Sequence, residues 1–255
     1  MAAALTLAVY GALRGLGMPA LSALVAAYFV ASIPLLDLHV ALAGYADLPM
    51  GAYYTCAALA LMRWAGSRDA RDAMMLLALA FACTQVNSPG IVWTMTLVPG
   101  VIVALLPRVG LKAALGGLGA LLLLLAVLAQ TSFEFLDKVW HLDFRPAWSA
   151  LGESYLLLGN WNLLWYAVPV AALLAGRKLA SARLAPLTAV AATGAVFLFA
   201  IFGFPDLGLV INGATAFNRA TLHFAPLAAV FAAFAFHAFA VNWSARDGAT
   251  HMLRP

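Results

Sequence analysis

Long apolar runs alternate with short polar breaks along this chain. Mostly apolar stretches fall at about 18–36, 50–65, 73–87, 91–107, 111–130, 161–176, 184–203 and 223–242, with a shorter one at 1–13. A helix of about 20 such residues crosses a hydrocarbon core of roughly 30 Å. The pattern therefore predicts an all-α, polytopic transmembrane helix bundle of eight full spans plus a short first helix. The runs at 73–87 and 161–176 are marginal in length, and Pro34, Pro99, Pro169 and Pro226 lie within or at the ends of others. Membrane helices accommodate such prolines where neighbours satisfy the freed carbonyls.

Composition points the same way. Hydrophobic residues make up 65% of the 255 and charged residues 9%, a balance that no ordinary soluble core explains. The loops are too short to fold alone, so residues 1–255 read as a single transmembrane domain. The net charge of +4 does not imply nucleic acid as a partner, because the cations are divided among short loops beside apolar runs. Cys56 and Cys83 lie inside such runs and read as small packing residues. Met1 to Leu13 lacks the basic start of a secretory signal. At about 20 Å it resembles half a helix, so a longer parent protein, of which this chain is a fragment, is expected.

Laying the runs out alternately places eleven of the fourteen Lys and Arg residues on one side, from Arg14 through Arg63, Arg108 and Arg183 to Arg254. That side, with the C-terminus, is expected to be cytoplasmic, in a bacterial inner membrane. Lys138, Arg145 and Arg219 fall on the other side, together with Asp37, Asp47, Glu134, Asp137, Asp143, Glu153 and Asp206. The outer face is thus where polar chemistry is concentrated.

The first outer loop carries Asp37, His39 and Asp47 at the mouth of a span. Such a trio suits binding a divalent cation or handling a proton. Asp47, two residues before Pro49, equally suits a helix cap. Arg219 and His223, four residues apart, share a helix face. Arg219 fits a phosphate contact or an interfacial anchor; His223 fits a substrate contact or an interfacial histidine. The polar break Thr84-Gln85-Val86-Asn87-Ser88-Pro89-Gly90 must face water or a protein cavity, which leaves Gln85 and Asn87 as candidate sugar contacts beside a plain re-entrant turn. Phe133, Leu136, Trp140 and Phe144 recur at helical spacing and predict an amphipathic interfacial helix within an outer segment over 131–160. Trp148, Trp161 and Trp165 continue as an aromatic belt. His237, deep in the last run, reads as packing, and Gly116, Gly117 and Gly119 read as close helix contact.

The stretch Gly44-Tyr45-Ala46-Asp47-Leu48-Pro49, with His39 ahead of it, resembles the second outer loop of GT-C glycosyltransferases of the bacterial protein O-mannosyltransferase type. Phe217-Asn218-Arg219, with His223 and Pro226 following, resembles the Arg-containing segment that opens a late helix there. The resemblance implies transfer of a sugar from a polyprenyl-phosphate donor to an acceptor hydroxyl on the outer face, with membrane lipid as surroundings. It implies Asp47 as the catalytic acidic position, organising the site or its metal (magnesium or manganese), and Arg219 as the contact to donor phosphate. His39, His223, Gln85 and Asn87 are the further substrate contacts. Two departures stand out. The family's Lys before a Gly is replaced by Gln85 and Asn87, and the acidic residue of the family's first outer loop would lie ahead of Met1. A multi-span transporter or lipid flippase is the alternative, as is a non-catalytic membrane remnant. Against transport, the spans hold almost no ionisable residue besides His237.

Overall fold

The computed structural model describes residues 1–42, 45–130, 132–135, 138–141, 143–204 and 214–252. In the segments 132–135, 138–141, 214–216 and 242–252 it describes the backbone alone. Leu136, Asp137, Asp206 and Arg254, named above, lie outside the described residues, as does Gly44.

Helices dominate. In chain order they are α1 (Ala2–Gly15), α2 (Ala20–Ala31), α3 (Pro34–Ala41), α4 (Asp47–Ser67), α5 (Ala70–Val86), α6 (Pro89–Met95), α7 (Val98–Leu105), α8 (Gly110–Leu128), α9 (Trp148–Gly152), α10 (Leu164–Ala175), α11 (Ala185–Gly203) and α12 (Ala214–Met252). Three of them, Gly110–Leu128, Ala185–Gly203 and Phe217–Val241, are long and apolar enough to cross a membrane, as an integral membrane protein requires. A fourth span results if α2 and α3, bent by 59° at their junction, count as one. Eight full spans were expected. Prolines divide several of the expected runs into shorter helices: Pro34 restarts the chain as α3, and Pro99 sits in the first turn of α7 just after the break from α6. Similarly, α10 is only 12 residues long, since the turn before it bends at Gly159 and Asn162, both with positive φ.

A second difference concerns 131–160. The expected amphipathic helix is replaced by an antiparallel hairpin, β1 (Ser132–Phe135) with β2 (Lys138–His141), in which Phe133 pairs with Trp140 and Glu134 with Val139. Ser-Phe-Glu-Phe alternates with period two as well as fitting a helical spacing, and Phe, Val and Trp favour extended backbone. Helix resumes only at α9, which runs into a π-helical turn over Glu153–Leu157.

Small residues bring the central helices together. In lipid, helices associate through packing rather than through water exclusion, so close backbone approach matters. A Cβ on Gly51 of α4 would stand 2.8 Å from the Leu222 carbonyl oxygen of α12, and one on Gly100 would meet Val190 and Pro186 of α11. Along α12, Ala225, Ala228, Ala229, Ala232 and Ala235 are all buried. At one end of the bundle Arg63 pairs with Asp72 at 3.0 Å, and Arg63, Ser67, Asp72 and Arg183 line a shared polar basin with Gly15 and Gly17. The start of α4 and the first turns of described α12 meet at the other end.

Candidate functional site

Asp47 stands in the first turn of α4, yet its carboxylate does not cap that helix: the cap position is Ala46, and no side chain closes it. Instead the carboxylate reaches across to α12. Arg219 Nε donates to Asp47 Oδ2 at 2.8 Å and Arg219 Nη2 reaches Oδ1 at 3.5 Å. His223 Nε2 lies 3.0 Å from Oδ1, and His39 Nδ1 lies 3.6 Å from Oδ2. Three residues spread over 184 positions thus converge on the Asp47 carboxyl group.

Helix geometry explains the convergence. Arg219 and His223 are one turn apart on α12 and face the same way. The close contact at Gly51, one turn into α4, sets the two helix axes near enough for the pair to reach Asp47. His39 is supplied by α3, which exists because the chain breaks at Ser32 and restarts at Pro34. That break is fixed from outside: Leu35 N–H donates to the Asn160 carbonyl at 3.1 Å, and the Asn162 side chain donates to the Ser32 carbonyl.

The cluster is enclosed except at the Arg219 side chain and at one nitrogen of His39. Asp47, His223 and His39 are buried, whereas the Arg219 side chain is 46% exposed. Its guanidinium lies 5.2 Å from the centre of the Tyr45 ring, and the same ring meets His39 edge-on at 5.6 Å. A guanidinium has five N–H donors, and Asp47 takes only two. The remaining N–H groups have no hydrogen-bond partner among the described residues, and the side chain is half-exposed, which suits contact with an anion. Burial opposes the charge on Asp47, but the hydrogen bonds from His223 and Arg219 outweigh it, so the carboxyl sits below its ordinary value of 3.8.

That direction fixes a pH dependence. A carboxylate with a depressed folded-state value contributes stability that is fully present above its unfolded value and is lost as pH falls through the folded one. The melting temperature of the detergent-solubilised protein is therefore expected to fall on acidification from about pH 5 to about pH 2. Asp47→Asn, which already lacks the charge, is expected to show a shallower acid slope. Equal slopes in both proteins would remove Asp47 from the account.

As arranged, these donors do not fit a divalent cation. Both oxygens of Asp47 are taken, a guanidinium occupies the open side, and among the described residues no group of three His, Cys, Asp or Glu side chains is placed to hold a metal. Asp47 is therefore the anchor of Arg219 and the two imidazoles.

Gln85 and Asn87 do not join the cluster among the described contacts. Gln85 is exposed and donates to the Thr84 hydroxyl at 3.0 Å. Asn87 ends α5, and its Oδ1 is enclosed without a partner. The glycine of this motif has a packing reason: a Cβ on Gly90 would fall 1.8 Å from the Cys83 carbonyl oxygen.

Other residues of the site carry no sequence signal of their own. Trp93 of α6 is buried beneath His223, its ring 6.0 Å away edge-on, and it also packs on Tyr54, Phe197 and Phe224. Tyr54 hydroxyl and Thr96 hydroxyl are hydrogen-bonded at 2.5 Å below it. Tyr155 and Ser154, in the π-helical turn, hydrogen-bond to Thr221 and Asn218, on either side of Arg219 in sequence. Beyond them lies an apolar cavity of about 440 Å³, whose lining includes Trp148, Leu151, Tyr155, Trp165, Phe199 and Phe224. Phe224 is the residue after His223, so the cavity begins one side chain from the polar cluster. Phe144 packs on Gly203 and Arg145 N–H donates to the Gly203 carbonyl at 2.9 Å, which docks the approach to α9 on the end of α11.

No family model, no curated protein and no solved structure matches this chain.

Proposed function

We propose that the protein transfers a sugar from a polyprenyl-phosphate donor to an acceptor hydroxyl at the outer face of a bacterial inner membrane, as a GT-C-type glycosyltransferase or the membrane portion of one. The observation that carries this reading is Arg219: a half-exposed arginine anchored from below by a buried carboxylate, on the helix whose Phe224 lines an aromatic apolar cavity. Such a neighbourhood suits an amphiphile with an anionic head and a long hydrocarbon tail. Arginine receives phosphate through a planar fork and holds its charge at any working pH. The eight-span topology with a cytoplasmic C-terminus belongs to the same proposal, and the positive-inside rule supports it.

In this reaction the bond from the anomeric carbon to phosphate breaks while the acceptor oxygen bonds to that carbon. Negative charge collects on the departing phosphate, where fixed donors lower the barrier most. Arg219 supplies those donors, and Asp47 keeps the guanidinium in place before substrate arrives, so little reorganisation remains at the moment of reaction. The apolar cavity gives the first isoprene units a seat out of water.

The test is transfer in proteoliposomes from a panel of undecaprenyl-phosphate monosaccharides to short alcohols and serine-containing peptides. Arg219→Ala is expected to lose about 100-fold in rate, the scale of one lost donor to a developing anion. Arg219→Lys keeps the charge but not the fork and is expected to recover only part of it. Transfer that is unaffected in both variants would remove the assignment. Movement of the lipid across the bilayer without any glycosyl product would favour a flippase instead.

A further inference from the structure

We propose that His39 is the general base of this transfer, with Asp47 as the residue that positions it. The proposal rests on the transfer reading above and names the group that accepts the acceptor's proton.

Four imidazole nitrogens surround Asp47, and their situations differ. Nδ1 of His223 is enclosed without a partner and Nε2 of His223 is engaged by Asp47. Nδ1 of His39 is enclosed and faces Asp47 Oδ2 at 3.6 Å. Nε2 of His39 alone is neither enclosed nor taken by a hydrogen bond among the described residues. Asp47 cannot serve as the base itself. Its side chain is 2% exposed, and a proton on it would weaken the hold on Arg219 just when phosphate charge develops. His223 has no open nitrogen.

The position of His39 suits proton transfer. A neutral imidazole has one donor and one acceptor nitrogen, and the partner of the first decides which is which. An Nδ1–H directed at Asp47 leaves the lone pair on Nε2. The 3.6 Å separation is slightly longer than a hydrogen bond, as catalytic hydrogen bonds often are before substrate binds. The Tyr45 ring touches both His39 and Arg219, so base and phosphate receptor flank a single aromatic side chain at the mouth. Groups facing His39 are Asp47 from α4, Tyr45 from the preceding loop, and Arg219 and His223 from α12. Asp37 on α3 itself is exposed, and α1, also packed on α3, brings only Tyr10 and Arg14, with no ion pair or ring contact to His39.

The step balances. The acceptor O–H breaks and its proton passes to His39 Nε2. The oxygen's electron pair forms the bond to the anomeric carbon, and the electron pair of the breaking carbon–oxygen bond leaves with polyprenyl phosphate, whose charge Arg219 receives. The resulting imidazolium sits beside the Asp47 carboxylate until water takes the proton away.

The test uses the full chain in proteoliposomes and His39→Gln and His39→Ala, with undecaprenyl phosphate as the binding probe and the donor panel above for transfer. His39→Gln is expected to bind undecaprenyl phosphate as wild type does, which also shows that it folds, while losing about 100-fold or more in transfer. The acid limb of the wild-type pH–rate profile is expected to vanish from its residual activity, and added imidazole is expected to restore part of the His39→Ala rate. A purely packing role for His39 would move neither the limb nor the rescue. Wild-type transfer with an unimpaired His39→Gln, or an unchanged acid limb, overturns the base assignment alone. Absence of transfer in wild type, with the phosphate probe unbound, overturns the parent reading and this inference together.

Discussion

Asp47→Asn is expected to reduce sugar transfer about 1000-fold, the upper end for a lost electrostatic partner in a preorganised site, and to lower the melting temperature as well. The substitution keeps shape and removes charge. It leaves the His223 imidazole buried without its acceptor carboxylate and frees a guanidinium that was fixed by two N–H groups. Breaking a fully buried ion pair by removing one partner costs about 3–5 kcal/mol. Arg219 is 46% exposed and can turn to water, which discounts this to about 2 kcal/mol. For a chain of this size that corresponds to about 4–8 °C. Thermal unfolding in detergent and initial rates in proteoliposomes measure both quantities. The combination with Arg219→Ala is expected to cost less than the sum of the single losses, because the two residues act as one unit. Additive losses would mean that Asp47 does not work through Arg219.

The second large effect is expected at a residue with no functional group. Gly51→Leu is expected to lower transfer about 100-fold, since a misplacement of about 1 Å far from the chemistry suffices for that. A Cβ at position 51 would stand 2.8 Å from the Leu222 carbonyl oxygen and 3.4 Å from that of His223. Both neighbours are backbone and cannot rotate away, so α12 must retreat from α4, carrying Arg219 and His223 with it. Overpacking of this kind costs about 1–3 kcal/mol, and Gly51→Ala is expected to show the same defects at smaller size. The readouts are the transfer rate and the melting temperature, with Gly116→Leu as comparison, because nothing lies within 4 Å of a Cβ there. Equal behaviour of the two leucine variants would show that the α4–α12 spacing does not govern the site.

How much of the site was legible varies by residue. Asp47, Arg219, His39 and His223 stood out because charged and imidazole groups are rare in so apolar a chain. Their meeting did not stand out, because three elements bring them together and no spacing in the sequence records it. The cap reading of Asp47 suited its position ahead of Pro49, and the tertiary pull of α12 overrode it. Gln85 and Asn87 attracted attention for the same polarity, yet end α5 without touching the cluster. Trp93, Tyr155 and Thr221 gave no signal, since one aromatic or hydroxyl side chain among many does not announce its neighbours. The interfacial helix expected near Phe133 failed because a short stretch fits two periodicities, and strand pairing decided between them.

What can be read from the residues in order is a helical chain with apolar segments able to cross a membrane, its few charged groups confined to short breaks between them. Those are local properties: hydropathy is summed residue by residue, and charges are counted loop by loop. That Asp47 is a sealed anchor, that Arg219 is half-exposed and that His39 keeps one nitrogen free follow from how the helices pack. Exposure, hydrogen-bond occupancy and distance belong to pairs of helices held at a particular separation. Here that separation is set by Gly51 against the backbone of Leu222.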